Sequence, residues 1–282
     1  MNMQTTWKCV LMMIVLGGLA SSASVHADSL LWWNRLGSVD EILNPPGGST
    51  PPVIEGKVGF VPGVFGNAYA AVGHGYTSNR IIIPESGLQL NPEAGTIDAW
   101  VMYPQDPIVW AYHYSMFSMV DGFYQCTHDP TLGCQARNHI GDGVTGDLYK
   151  LYAELDFGSK VQIQIPDVDS IFLPQEWHHL ALMWDRQGIE SSSDCFRVYI
   201  DGDIHGATAK SNWGDTPDVG NRHTIGKGEG FDDGTPAFAI DNIKIWDYAA
   251  LDAIEERFDE DYVPEAGGLL LLTVGGLLLR RR

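Results

Sequence analysis

Positive charge is what this 282-residue chain has least of: 17 lysines and arginines stand against 36 aspartates and glutamates, a formal net charge of −19. Binding DNA, RNA or an anionic membrane surface relies on basic side chains that neutralise phosphate, so these are excluded as main partners. Cysteine is scarce as well, with four in all, and a chain of this length buries enough core to fold without metal or disulfide staples. No apolar run reaches the ~20 residues of a membrane-spanning helix. There is no His-Glu-x-x-His and no Gly-x-Ser-x-Gly, which removes the usual zinc-protease and serine-hydrolase signatures. What the chain does have is 44% hydrophobic residues, 11% aromatics, 32 glycines and 15 prolines. That balance is too apolar and aromatic for disorder and punctuated enough for many short elements.

The two ends differ from the middle. Lys8, the apolar run Cys9 to Leu16, the Gly17-Gly18 break and the small residues closing at Val25-His26-Ala27 follow the order of a secretory signal peptide cleaved after Ala27. At the other end Val263-Pro264-Glu265 precedes the apolar stretch Ala266 to Leu279 and the cluster Arg280-Arg281-Arg282. As a helix those 14 apolar residues reach only about 21 Å, short of a ~30 Å hydrocarbon core. A short hydrophobic tail after proline punctuation reads as a processing signal rather than a lasting anchor. This arrangement resembles the PEP-CTERM sorting signal of Gram-negative bacteria, with Ala266 where that motif usually has a second proline. The resemblance implies signal peptidase and an exosortase as processing partners. It also implies passage through the inner membrane and delivery to the cell surface or extracellular matrix.

Three segments follow: a signal peptide (1–27), one domain (28–262) and a sorting signal (263–282). The domain carries 35 acids and 13 bases, a net charge of −22. Strand-like runs occupy Arg80 to Ile83, Thr96 to Met102, Tyr114 to Val120, Leu148 to Leu155, Lys160 to Ile165, Trp177 to Trp184, Phe196 to Ile200 and Phe238 to Trp246. Short strands separated by turn signals predict an all-β sandwich. Asp201-Gly202 between two of these runs predicts a two-residue type I′ hairpin. A helix is expected over Tyr248 to Phe258, with Leu251, Ile254 and Phe258 on one face.

Five motifs occur in order: Gly63-Val64-Phe65-Gly66-Asn67-Ala68, Thr96-Ile97-Asp98-Ala99-Trp100-Val101, Glu176-Trp177-His178-His179-Leu180-Ala181, Val198-Tyr199-Ile200-Asp201-Gly202 and Ala239-Ile240-Asp241-Asn242-Ile243-Lys244-Ile245-Trp246. Their order and spacing resemble the laminin G-like, concanavalin A-like lectin/glucanase domains across residues 30–258. The resemblance implies a jelly roll of two curved antiparallel sheets. It also implies a calcium ion, since Asp241 matches an aspartate that opens the last strand and often takes part in calcium binding. The segment Gly226 to Gly234 resembles the calcium loop of the related pentraxins. Glu229, Asp232 and Asp233 there, with Asp121 and Asp241, form a candidate calcium set of the oxygen-rich kind that hard cations need. A solvated turn, and an Asp241 that simply accepts a backbone hydrogen bond, are the alternatives.

Cys126 and Cys134 bracket a turn-rich loop, and in an exported chain the pair is expected to form a disulfide. Zinc held by Cys126, His128, Cys134 and His139 is the alternative. Cys195 is expected to be a buried apolar residue. Catalysis is not nominated: laminarinase-type relatives carry Glu-x-Asp-x-x-Glu, whereas Glu154-Leu155-Asp156 here is followed by Ser159 in place of the second glutamate. Trp110, Tyr112 and Tyr114 alternate and share one face of a strand, where they either stack on sugars or fill the core. The expected function is non-catalytic binding of a glycan or another surface ligand. A passive adhesive role, or a polysaccharide lyase or hydrolase, is the alternative.

Overall fold

The structure is a computed structural model that describes residues 30–46, 50–71, 80–84, 88–102, 114–121, 131–136, 150–166, 170–173, 175–215, 223–226 and 239–259. At positions 71, 114–121, 131–136, 150, 152, 156, 160, 224 and 226 the description is confined to the backbone.

Among the described residues, fifteen strands fall into two antiparallel sheets. Sheet A runs in the order β13 (Asp203–Thr208), β12 (Phe196–Ile200), β11 (Trp177–Asp185), β6 (Ala94–Met102), β15 (Ala239–Trp246), β4 (Gly66–Ala71) and β3 (Val58–Gly63). One half of β15 pairs with β4, and its other half with β1 (Leu30–Asn34). Sheet B runs β10 (Lys160–Pro166), β9 (Lys150–Asp156), β8 (Thr131–Ala136), β7 (Tyr114–Asp121), β14 (His223–Gly226), β5 (Arg80–Ile83) and β2 (Val53–Glu55). The eight expected strands are all present, within a few residues of their expected ends. Six more (β1, β2, β3, β4, β8 and β14) lie outside the expected runs, and β13 completes the expected hairpin.

Alternation explains the core. On β6, Ile97, Ala99 and Val101 are buried between the sheets in one cluster with Leu151, Ala153 and Leu155 of β9 and Val161, Ile163 and Ile165 of β10. Leu180, Leu182 and Trp184 of β11 join them, with Phe157 and Trp213 at one end. Each such side chain contributes about 1.5–3 kcal/mol relative to exposure. The hairpin turn is as expected, since Asp201 (φ 54°) and Gly202 (φ 93°) both take the left-handed conformation of a type I′ turn.

The outer side of sheet A is also covered. A short helix, α1 (Val39–Leu43), is capped by Ser38, whose Oγ accepts from the Glu41 amide. The second, α2 (Leu251–Glu255), lies on the outer face of sheet A. There Ile254 packs on Ala181, Met183 and Tyr199, and Ala250 and Ala253 pack on Trp246. Only these five residues are α-helical, fewer than the Tyr248 to Phe258 expected. No side chain caps its start and no base stands in its last turn, so Glu255 and Glu256 meet the negative end of the helix dipole. Phe258 is correspondingly not on a helical face; it is 66% exposed and tilts against Trp100, ring centroids 5.2 Å apart.

Asp98 is buried on this covered face. Its carboxylate accepts from Trp246 Nε1 at 2.7 Å and faces His179 Nε2 at 3.3 Å. Asp98→Ala strands both donors and is expected to cost roughly 3 kcal/mol, read as a lower urea midpoint at unchanged m-value. An unchanged midpoint refutes the role. Cys195 is buried immediately before β12, as expected. Burial pushes its thiol up, and Asp185 and Asp194 add to the effect. The unfolded thiol ionises first as pH rises, so the stabilising contribution is complete below about pH 8.5 and is lost above it. Iodoacetamide at pH 8 should leave Cys195 unmodified in the folded chain and alkylate it in urea, as followed by peptide mass mapping.

Candidate functional site

The solvent face of sheet B follows from its buried face. Because Leu151, Ala153 and Leu155 point inward, Lys150, Tyr152, Glu154 and Asp156 take outward positions, and on β10 Lys160, Gln162, Gln164 and Pro166 do the same. Gln162 and Gln164 are exposed, and they form a ladder. Gln164 Nε2 donates to Gln162 Oε1 at 2.7 Å, and Gln162 Nε2 donates to Glu154 Oε2 at 2.9 Å. At the far side of the sheet the Arg80 guanidinium grips the Glu55 carboxylate at 2.7–2.8 Å.

The pairing registers connect these ends in one transverse row. Glu55 pairs with Arg80, Arg80 with Gly226, Gly226 with Ser118, Ser118 with Gly133, Gly133 with Tyr152, and Tyr152 with Gln164. The row crosses all seven strands. Its three middle positions are two glycines and a serine, so little side-chain volume stands there. One flanking row carries Thr131, Glu154 and Gln162, and the other carries Ser115, Gln135, Lys150 and Pro166.

The sequence motifs, by contrast, meet each other inside the fold. The Asp241 carboxylate accepts from the Phe65 amide at 2.9 Å and is fully buried. Gly63 lies so close that a Cβ there would run into Asp241 Oδ2. The first motif and the last are therefore one clamp. Asn242, in the left-handed conformation, accepts from Trp33 Nε1 at 2.6 Å, tying β1 to β15. Asp201 of the hairpin turn accepts from the His179 amide at 2.9 Å, and its other oxygen faces His178 Nδ1 at 2.7 Å. The His-His and Asp-Gly motifs thus form a second clamp.

Of the expected calcium set, Asp121 ends β7 of sheet B and Asp241 lies on β15 of sheet A, while Glu229, Asp232 and Asp233 lie outside the described residues. Among the described residues no three His, Cys, Asp or Glu side chains are grouped to hold a metal. Trp110 and Tyr112 also lie outside the described residues. Tyr114 opens β7, paired with Ala136 of β8. Cys134 stands on β8 and not in a loop, while Cys126, His128 and His139 are outside the described residues. So are Ala27, Val263, Pro264, Glu265, Arg280, Arg281 and Arg282. Among the described residues no helix is long and apolar enough to cross a membrane.

The family model for the concanavalin A-like lectin/glucanases superfamily, the Laminin G 3 type, matches residues 75–253. The chain belongs to that family. Solved structures with the same fold include the binding domain of Paraclostridial Mosquitocidal Protein 1, with TM-score 0.56 and 16% identity over 82% of this chain. The botulinum neurotoxin serotype D ligand binding domain, in complex with N-acetylneuraminic acid, gives 0.57 and 11% over 85%. This chain spans about half of each toxin domain, 52% in both cases. Domain 4 of AbnA, an extracellular arabinanase from Geobacillus stearothermophilus, in complex with arabinotriose, gives 0.51 and 14% over 81% of this chain and 98% of that domain. At these identities the likeness shows the fold. No curated protein matches the chain.

The Asp241 clamp is directly testable in this lectin/glucanase-type domain. Asp241→Ala leaves the Phe65 amide without its acceptor and should lower stability by about 1–3 kcal/mol, while Asp241→Asn, which keeps a carbonyl oxygen, costs less. At this domain size that is a fall in Tm of a few degrees per kcal/mol. Melting both variants in chelator checks it; equal melting of Asp241→Ala and the native chain disproves the clamp.

Proposed function

We propose that this chain is an exported, non-catalytic binding protein whose sheet B face takes a glycan. The observation that carries the reading is the Gln164–Gln162–Glu154 ladder, whose two glutamines are exposed on the edge strand β10. Amides and a carboxylate at regular spacing offer both donors and acceptors to sugar hydroxyls. The lectin/glucanase family supports it, as do the N-acetylneuraminic acid and arabinotriose complexes of two proteins with this fold.

Absence of catalysis is part of the proposal. Ser159, which takes the place of the second glutamate in the acidic pattern, sits in the turn after β9 with its amide donating to Trp213 O at 3.1 Å. A carboxylate partner for Glu154 would therefore have to come from elsewhere than this position. Export rests on the sequence of the two ends: cleavage after Ala27 by signal peptidase, and sorting through Val263-Pro264-Glu265, the apolar tail and the three arginines by an exosortase, with release to the surface or matrix. Calcium supports binding in the same proposal, held through the acidic segment Glu229 to Asp233.

A glycan array on the full chain, run with calcium and with chelator, tests this reading. Binding is expected, and Gln162→Ala/Gln164→Ala should weaken it about tenfold, since two hydrogen bonds contribute about 1 kcal/mol or less each. An array without hits favours a passive matrix role, and reducing ends released from any polysaccharide would favour a lyase or hydrolase.

A further inference from the structure

We infer that, in water, the outer corner of sheet A beside α2 seats this chain's own C-terminal segment, the apolar stretch Ala266 to Leu279 with Arg280, Arg281 and Arg282. The inference is independent of the glycan reading on sheet B. Two exposed apolar side chains mark the corner. Phe258 is the most exposed large hydrophobic among the described residues, at 66%, and Ile204 stands at 50%. Ile204 pairs with Tyr199, which packs with Ile254 of α2, and cross-strand partners share a face. The Arg257 guanidinium lies over the Phe258 ring, 4.8 Å from its centroid, and a Cβ on Gly202 of the hairpin would meet Arg257 Nη1 at 3.0 Å. Phe258, Arg257, Gly202 and Ile204 therefore follow one another across a single surface.

Carboxylates rim that surface. Asp203, Glu255, Glu256 and Asp259 are all exposed, against the one charge of Arg257. Glu255 and Glu256 also stand at the negative end of α2, which has no base in its last turn. An apolar centre with an acidic rim fits an apolar segment that carries concentrated positive charge. Within this chain the terminal arginines are that concentration, three of its 17 bases in three consecutive positions. Arg80, Arg186 and Arg197 are already held by Glu55, by Asp215, and by Glu190 with Asp194. The stretch before the terminal arginines holds seven leucines and a valine, which gain by leaving water. Chain length allows the contact. The stretch begins seven residues after Asp259, and a linker of that length reaches at most about 25 Å, whereas α2 is only about 7.5 Å long. So short a tether also holds the segment near the corner at millimolar effective concentration, so modest contacts suffice. Seated there, the leucines are kept from aggregation until a bilayer takes them.

Photo-cross-linking and amide exchange on the full chain test the inference. Phe258→p-benzoylphenylalanine, irradiated at low micromolar concentration, is expected to join position 258 to residues 266–279 within a monomer band. Amides of 254–257 are expected to exchange at least fivefold faster when Arg280→Glu, Arg281→Glu and Arg282→Glu reverse the tail. Adding Glu255→Lys and Glu256→Lys to the reversed tail should restore slow exchange, which a merely structural effect would not do. Ile204→Ser, at an exposed position and checked for an unchanged melt, should speed exchange as the reversed tail does. Exchange indifferent to the reversed tail, or cross-links confined to the domain or to residues 9–16, overturns the inference. Cross-links to the tail found only in a dimer band and lost on dilution overturn self-docking and assign the corner to the tail of a second copy. None of these results alters the glycan array, so the two readings fail separately.

Discussion

Every outward position on sheet B is set by the apolar residues beneath it. Leu151, Ala153 and Leu155 of β9 and Val161, Ile163 and Ile165 of β10 are buried against the opposite sheet. A one-residue slip of either strand would exchange its faces, driving Glu154 or Gln162 into the core and exposing the branched aliphatics. Burying charged or amide groups unpaired costs several kcal/mol each, so the register is strongly held. The polar ladder and the glycine-lined row are thus consequences of packing. A surface fixed in this way is preorganised, and a ligand that binds it need not spend affinity on ordering the face.

The buried polar residues have a different task. Asp241 with Phe65, Asp201 with His178 and His179, and Asp98 with Trp246 each join segments distant in sequence through side-chain bonds at 2.7–2.9 Å. These are the motif positions by which the family resemblance was recognised. Backbone pairing alone leaves the ends of β4, β11 and β15 free to shift along one another, and a buried carboxylate that must find particular donors removes that freedom. The most recognisable residues of the chain are therefore those that hold the sandwich together, while the face proposed to bind ligand is made of ordinary glutamine, serine and glycine.

This division explains what was legible in the sequence. β5 and β12 were readable to the residue, and β6, β10, β11 and β15 nearly so, because β-branched and aromatic residues there run uninterrupted between turn signals. β8 was read as a loop because Pro130 and Gly133 punctuate it, yet the ladder to β9 supplies the backbone bonds that its composition does not advertise. β14 is four residues between glycine-rich stretches, too short for any period. Asp241 was legible as a special residue and acceptance of a backbone hydrogen bond was one of its readings, but the donor, an amide 176 positions away, was not. Tyr152 went unmarked for the opposite reason: a single aromatic on a strand signals nothing until register sets it beside Gly133 and Gln164. A row across seven strands is assembled from seven separate segments, and no local pattern contains it.

The two outer faces of the sandwich are not equivalent, and their difference bears on where a ligand can sit. Sheet A is covered among the described residues by α2, whose Ile254, Ala250 and Ala253 close over Met183, Tyr199 and Trp246, and by Phe258 tilted on Trp100. Thr96 reinforces this cover from below, donating to Tyr248 O at 2.8 Å while accepting from the Ala250 amide at 2.9 Å. The polar groups of that face are already committed to the protein, so a ligand there would first have to displace the cover and its apolar contacts. On sheet B the glutamines remain exposed and their hydrogen bonds run between exposed side chains, which exchange with water or a hydroxyl at little cost. The outer face of sheet A is thus closed by α2 and the residues that follow it, whereas on sheet B the exposed glutamines stand on the edge strand β10 and Arg80 and Ile82 of β5 are buried.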